Sequence, residues 1–194
     1  PKGAERVVIP PASWIKSPSP YSYAIRTGDT LFLSGLVSRN GRDNTVVAGD
    51  INVQTAAVLD NATEILKAAG MTLDNVVSSR IYLPDGASFQ PMNAVYRKYF
   101  SSAPPARATV IAGLAGSQYA VEITLIASSS SKRVIADGRP VNANLSAAIR
   151  AGDRVYVSGM LGNTPETKGD VGAQTRETLT RIRTALTAAG CSPA

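Results

Sequence analysis

The chain has 194 residues, a net charge of +6, 44% hydrophobic and 18% charged residues, which is ordinary for a folded globular protein. It has no histidine and one cysteine, Cys191; this excludes a Ser-His-Asp triad, the paired-histidine chemistry of many ribonucleases, an intrachain disulfide and a cysteine-rich metal site. The basic residues are scattered, in runs no longer than a pair such as Lys132-Arg133, so the charge reads as a solvated surface and no nucleic-acid partner is expected. No apolar run approaches the roughly 18 residues of a membrane span, and no membrane partner is expected.

Arg6-Val7-Val8-Ile9 predicts a short strand stopped by Pro10-Pro11, and Ser17-Pro18-Ser19-Pro20 an extended lead-in. Strand, tight turn and strand follow, from Tyr23 through Gly28-Asp29 to Gly35. From Asp50 the period becomes helical, with Val53, Ala57, Ala62, Ile65, Leu66 and Ala69 on one face and Asp60, Glu64 and Lys67 away from it. Gly70 is expected to end that helix. Val76 to Leu83 reads as a strand closed by Pro84-Asp85-Gly86. Ser88 is expected to cap a second helix that turns Phe89, Met92, Val95, Tyr96, Tyr99 and Phe100 inward. Pro104-Pro105 breaks it, and residues 108–112 and 119–127 predict two more strands.

Much of this recurs. Ala24-Ile25-Arg26-Thr27-Gly28-Asp29 and Leu33-Ser34-Gly35 return 124 positions later as Ala148-Ile149-Arg150-Ala151-Gly152-Asp153 and Val157-Ser158-Gly159. Gly49-Asp50, Gln54-Thr55 and Ala68-Ala69-Gly70 return 120 positions later. A period this long indicates a duplicated domain, since solenoid units run about 20–50 residues. The expected organisation is a complete unit over 1–127, a flexible serine linker over 128–131 and the first part of a second unit over 132–194. The fold class is α+β, each full unit β-β-β-α-β-α-β-β, with a mixed sheet and two helices on one of its faces. The other face is also apolar, which predicts self-association. A half-unit cannot close its own sheet, so the polypeptide is expected to run on past Ala194. The chain starts at Pro1, not Met, which leaves the compartment open between cytoplasmic and, after signal cleavage, periplasmic or secreted.

Three features could carry chemistry. Arg107 follows a proline pair at a strand start and is either a fixed fork for a carboxylate or phosphate, or a surface arginine. Glu122 shares a strand face with Ala120, Thr124 and Ile126, opposite Val121, Ile123 and Leu125. It is either a tunable acid or base, or an edge residue facing water. Ser34 ends a strand, and Gly35 would let a ligand come close; alternatively both are turn residues. With no histidine or evident lysine partner, Ser34 is not expected to be a nucleophile.

Taken together, Pro20-Tyr21, Leu33-Ser34-Gly35, Gln54-Thr55, Ala68-Ala69-Gly70, Asn93 before Tyr96, Pro105-Ala106-Arg107 and Val121-Glu122-Ile123 resemble the RidA-like (YjgF-type) reactive-intermediate deaminase family. The resemblance implies a two-layer, chorismate mutase-like fold, assembled as a homotrimer with sheets inside and ligand clefts between subunits. It implies that Arg107 grips a substrate carboxylate and Glu122 positions or activates water, with Tyr21, Ser34, Gly35, Asn93 and Thr109 lining the cleft. Thr109 stands where many members have cysteine. The implied reaction is hydrolysis of a 2-imino or enamine acid to the 2-keto acid and ammonia, with no metal or organic cofactor. In the second copy Leu145 replaces Tyr21, and no arginine or glutamate counterpart occurs before Ala194. The alternatives are a non-catalytic module binding small carboxylates and, more weakly, an endoribonuclease or translation inhibitor.

Overall fold

A computed structural model describes residues 5–192. Six strands form the first sheet: β1 (Arg6–Val8), β2 (Ala24–Thr27), β3 (Thr30–Leu33), β4 (Val76–Leu83), β5 (Ala106–Ile111) and β6 (Glu122–Ser128), in the order β1-β2-β3-β6-β4-β5. All neighbours are antiparallel except β4 and β5. That parallel pair needs a crossover, which helix α2 (Phe89–Tyr99) supplies. Helix α1 (Ile51–Ala68) lies between β3 and β4 in the chain. The alternation along β6 decides the layering: Ile123, Leu125 and Ala127 are buried with Val58, Leu59, Ala62, Ile65, Leu66, Met92 and Tyr96 of the helices. Both helices therefore cover one face of a mixed sheet, as the sequence predicts.

Local differences have local causes. Val53 is exposed, and Gln54 and Thr55 take the inward positions. Gln54 is tolerated inside because it is fully used. Its carbonyl accepts from Ser38 Oγ and the Ala120 amide (2.8 Å each), and its amide donates to the Gly49 and Gln118 carbonyls. Gln54→Leu keeps the volume but orphans these partners, and an expected loss of about 1–3 kcal/mol would be measured by urea denaturation. Ser88 makes no side-chain cap; instead Asp85 accepts from the Ser88 amide at 2.9 Å. Gly70 follows α1 at φ +71°, as a helix-ending glycine does. β5 starts two residues earlier than predicted, at Ala106, and β6 three later, at Glu122.

The serine run is not a loose tether. Ser128 completes β6, Ser130 Oγ donates to Asp29 at 2.6 Å, and the Ser129 amide donates to the Asp29 carbonyl at 2.8 Å. The Ser130 bond, with those of Thr30 and Ser128, holds the Asp29 carboxyl below the ordinary aspartate range.

Beyond the serines lie β7 (Lys132–Ile135), β8 (Ala148–Ala151), β9 (Arg154–Val157) and helix α3 (Val171–Ala188), with the three strands forming a second sheet. Residue pairs repeat in register: Ala24 opposite Leu33, Ala148 opposite Val157. So do tertiary bonds, Arg26 Nη1 reaching the Ala69 carbonyl and Arg150 Nη1 the Ala189 carbonyl. Helices α1 and α3 are both 18 residues long and both open on an aspartate cap. The second sheet packs on the open face of the first, where Ile149 and Ala151 meet Val77, Ala106, Ile126 and Tyr156 in a small apolar core. Arg154 Nη1 donates to Thr30 Oγ1 at 2.6 Å across the same junction. Among the described residues, no helix is long and apolar enough to cross a membrane.

Candidate functional site

Arg107 is 3% exposed, which removes the reading of a surface arginine. The backbone explains its depth. In the parallel β4–β5 ladder Arg107 stands opposite Ser79, and Ser79 opposite Leu125 of β6, so all three share the helix-covered face. The guanidinium carbon lies 4.9 Å from the Tyr96 ring centre and 5.8 Å from that of Phe89, both on α2. Cation–π attraction of this kind is worth about 0.5–2 kcal/mol and holds the side chain without using its N–H donors.

Those donors are free. Arg107 Nε and Nη1 are buried and find no hydrogen-bond partner among the described residues; the same is true of Asn93 Oδ1, Thr109 Oγ1, Ser79 Oγ and Tyr96 Oη. Buried polar atoms are normally paired, each orphan costing about 1–3 kcal/mol, so six in one neighbourhood point to a site made for something else. Burial lowers the Arg107 pKa, opposed by Tyr96 and reinforced by Arg97, yet an arginine keeps its charge at working pH. Burial raises the Tyr96 phenol above the ordinary tyrosine value, while nearby Ser79 and Arg107 offset part of the rise, Ser79 without reaching ordinary hydrogen-bond geometry. Asn93 and Thr109 thus also carry a buried oxygen without a partner.

The remaining predicted residues gather elsewhere. Glu122 stands opposite Tyr82, three positions along β6 from Leu125, and so projects from the other face of the sheet. Arg107 and Glu122 of one unit do not face one crevice; the two-residue period of a strand forbids it. Glu122 instead lies against Gly35, where any Cβ would overlap its carboxylate, so Gly35 is what lets the acid sit there. Ser34 Oγ donates to the Ser22 and Tyr23 carbonyls at 2.9 and 3.1 Å. Tyr21, with its ring exposed, stacks edge-on to Tyr23 at a centroid distance of 5.8 Å. Arg107 and Glu122 thus lie on opposite faces of one sheet, the acid beside Gly35.

Residues 146–159 meet β5 at the Arg107 backbone. The Arg107 amide donates to Ser158 Oγ at 2.8 Å, the Gly159 amide donates to the Arg107 carbonyl at 3.0 Å, and Ser146 Oγ donates to the Pro104 carbonyl at 2.6 Å. Ser158 and Gly159 stand 124 positions after Ser34 and Gly35 in the sequence. Ser158 Oγ also donates to the Ser146 carbonyl, as Ser34 Oγ does to that of Ser22. Sequence reading missed these two residues, and Ser79, Phe89 and Tyr96, as site components. The signal for the aromatics was their spacing with Asn93, which puts all three on one helical face. Among the described residues no cluster of three or more His, Cys, Asp or Glu side chains is placed to hold a metal.

A family model described as Endoribonuclease L-PSP matches residues 12–129 and 137–194. The chain belongs to this family, the RidA/YjgF family. A RutC family protein of Sulfurisphaera tokodaii is 44% identical over 113 residues, 58% of this chain and 90% of that protein. The chloroplastic Reactive Intermediate Deaminase A of Arabidopsis thaliana is 41% identical over 90 residues, 46% of this chain and 48% of that protein. Among solved structures, a Rid family protein of unknown function from Yersinia pestis superposes with a TM-score of 0.60 at 32% identity, covering 64% of this chain and 99% of that one. A Thermotoga maritima protein described as a putative endoribonuclease gives 0.61 at 30% identity, with 64% and 98% coverage.

Proposed function

We propose that this chain hydrolyses reactive 2-imino and enamine acids to 2-keto acids and ammonia. The observation that carries the reading is the buried guanidinium with two unpartnered nitrogens, framed by the unpartnered oxygens of Asn93 and Thr109. A small carboxylate satisfies Arg107 and places its neighbouring carbon at the pocket mouth. Water then adds to the C=N carbon, and a carboxylate takes the water proton and returns it to nitrogen. The resulting carbinolamine expels ammonia as its hydroxyl becomes the carbonyl. Glu122 is the carboxylate assigned to this step, and Tyr21, Ser34 and Gly35 line the same cleft. Because Glu122 and Arg107 project from opposite faces of one sheet, a complete cleft takes them from two different units.

Docking of Ser158-Gly159 on Arg107 supports that geometry, and the repeated bonds support a tandem duplication with a complete unit over 1–127 and part of another over 132–194. Assembly as a homotrimer follows the same logic. Phe32 (41% exposed) and Val110 (48%) remain uncovered on the face that the second sheet only partly occupies.

The test follows imine loss when an amino-acid oxidase generates 2-imino acids in situ. The wild-type chain is expected to accelerate hydrolysis over the spontaneous rate, and Glu122→Gln to lose roughly 10²–10⁴-fold as a general base is removed. One observation favours a second reading, a carboxylate-binding module: where the Arg107 strand meets residues 146–159, Leu145 stands in place of tyrosine. Saturable binding of a 2-keto acid without acceleration selects that reading, and absence of both rejects the two together.

A further inference from the structure

Helix α2 carries a second guanidinium beside the Arg107 pocket, that of Arg97, which the proposed mechanism does not use. Phe89, Asn93, Tyr96 and Arg97 follow the spacing of one helical stripe. Phe89 and Tyr96 flank the Arg107 guanidinium at 5.8 and 4.9 Å, and Asn93 carries a buried oxygen with no partner among the described residues. Arg97 continues this stripe to the surface, where it is exposed. Lys98, also exposed, stands half a turn away from Phe89.

The Arg97 side chain reaches residues 142–146. Its Nη1 lies 3.5 Å from Asn144 Oδ1, the long limit of a hydrogen bond. That segment is fastened close to Arg107: the Ser146 amide donates to the Pro105 carbonyl at 3.2 Å, and Ser146 Oγ to the Pro104 carbonyl at 2.6 Å. Arg97 therefore spans from the helix that walls the pocket to the segment docked on the Arg107 strand.

No carboxylate balances these cations. Among the described residues neither Arg97 nor Arg107 forms an ion pair, and Glu122 lies on the opposite face of the sheet. Burial is the main cause of the lowered Arg107 pKa, Tyr96 opposes it, and the Arg97 charge lowers it further. A ligand with one carboxylate satisfies Arg107 and leaves Arg97 with only the neutral Asn144. Two like charges within electrostatic reach, with no acid between them, favour an anion with two negative groups.

We propose that Arg97 is a specificity-determining residue: it receives a second carboxylate, so the cleft selects 2-imino acids with an acidic side chain. This rests on the reading of Arg107 as the anchor of the first carboxylate. The second carboxylate takes no part in the hydrolysis. Because Arg97 is exposed, the preference is about two- to fivefold at low ionic strength and shrinks as salt is added.

2-Ketoglutarate and 2-ketovalerate have the same chain length and differ in the second carboxylate. Both are titrated into the full chain by calorimetry at low salt. The wild-type chain is expected to bind 2-ketoglutarate at least about twofold more tightly. Arg97→Gln should erase that preference and Arg97→Glu reverse it. Lys98→Gln, which removes the same charge from the other side of α2, should keep it. All three positions changed are on the surface, so Tm is expected to stay at the wild-type value. The same order is expected in kcat/KM for the matching 2-imino acids formed in situ by amino-acid oxidases. Equal affinity for the two acids, a preference that survives Arg97→Gln, or an equal loss in Lys98→Gln overturns the role of Arg97 and leaves the Arg107 anchor standing. If neither acid binds, or if Arg107→Met binds both as before, the anchor falls and the role of Arg97 with it.

Discussion

Arg107→Met is expected to abolish most imine hydrolysis while leaving the fold as stable as before or firmer. Losing a charge-assisted contact to the substrate carboxylate costs about 1.5–3 kcal/mol, a factor of roughly 10–150 in kcat/KM. Stability moves the other way. In the unliganded chain the guanidinium is buried without an anion, and Nε and Nη1 are unpaired. Methionine fills the space between Phe89 and Tyr96 without that penalty, and gives up cation–π contacts worth about 0.5–2 kcal/mol. The expected balance is a gain of 0 to about 2 kcal/mol, or up to several degrees in Tm for a chain of this size. A structural arginine behaves oppositely, since its loss lowers stability. Imine assay and thermal melt on the same variant separate the two roles. Unchanged hydrolysis rejects the anchor, and parallel loss of activity and Tm rejects the ligand-site reading of the pocket.

Strand and helix order were legible because the pattern of β6 is unambiguous: Val121, Ile123 and Leu125 face one way and Glu122, Thr124 and Ile126 the other. That period already implied that a residue's partner across the sheet depends on register, and register is set by pairings distant in sequence. Arg107 and Glu122 are 15 positions apart with β5 ending and β6 beginning between them, and no local signal says that Ser79 aligns with the arginine while Tyr82 aligns with the acid. Their separation onto two faces therefore emerges only from the ladder. Capping failed for a similar reason. Ser88 opens α2 without a side-chain cap, and its own amide is taken by Asp85 in the turn at Pro84-Asp85-Gly86. Gln54 and Thr55 occupy inward positions of α1 against their polarity, because Ser38, Ala120 and Gln118, far away in sequence, complete the glutamine's bonds.

The second large effect concerns the junction between the two sheets. Ile149 is fully buried against Val77, Ala106 and Ala151, none of which belongs to the main core beneath the helices. Ile149→Asp places a carboxylate there without a partner, at a cost of several kcal/mol that separation of the sheets relieves. The six-stranded sheet with α1 and α2 is expected to stay folded, because its core of Leu59, Ile81, Ile123 and Leu125 draws nothing from residues beyond Ser131. Hydrogen exchange reads the outcome directly. The Arg107 amide is held by Ser158 Oγ and the Gly159 amide by the Arg107 carbonyl, so both should lose roughly a hundredfold or more in protection. Amides of Ile123 and Leu125 should keep theirs. If Arg107 and Gly159 remain protected, the two sheets are not joined through this apolar core. If all four lose protection together, the first copy depends on the second for its fold, and the guanidinium pocket cannot be a feature of one unit onto which another docks.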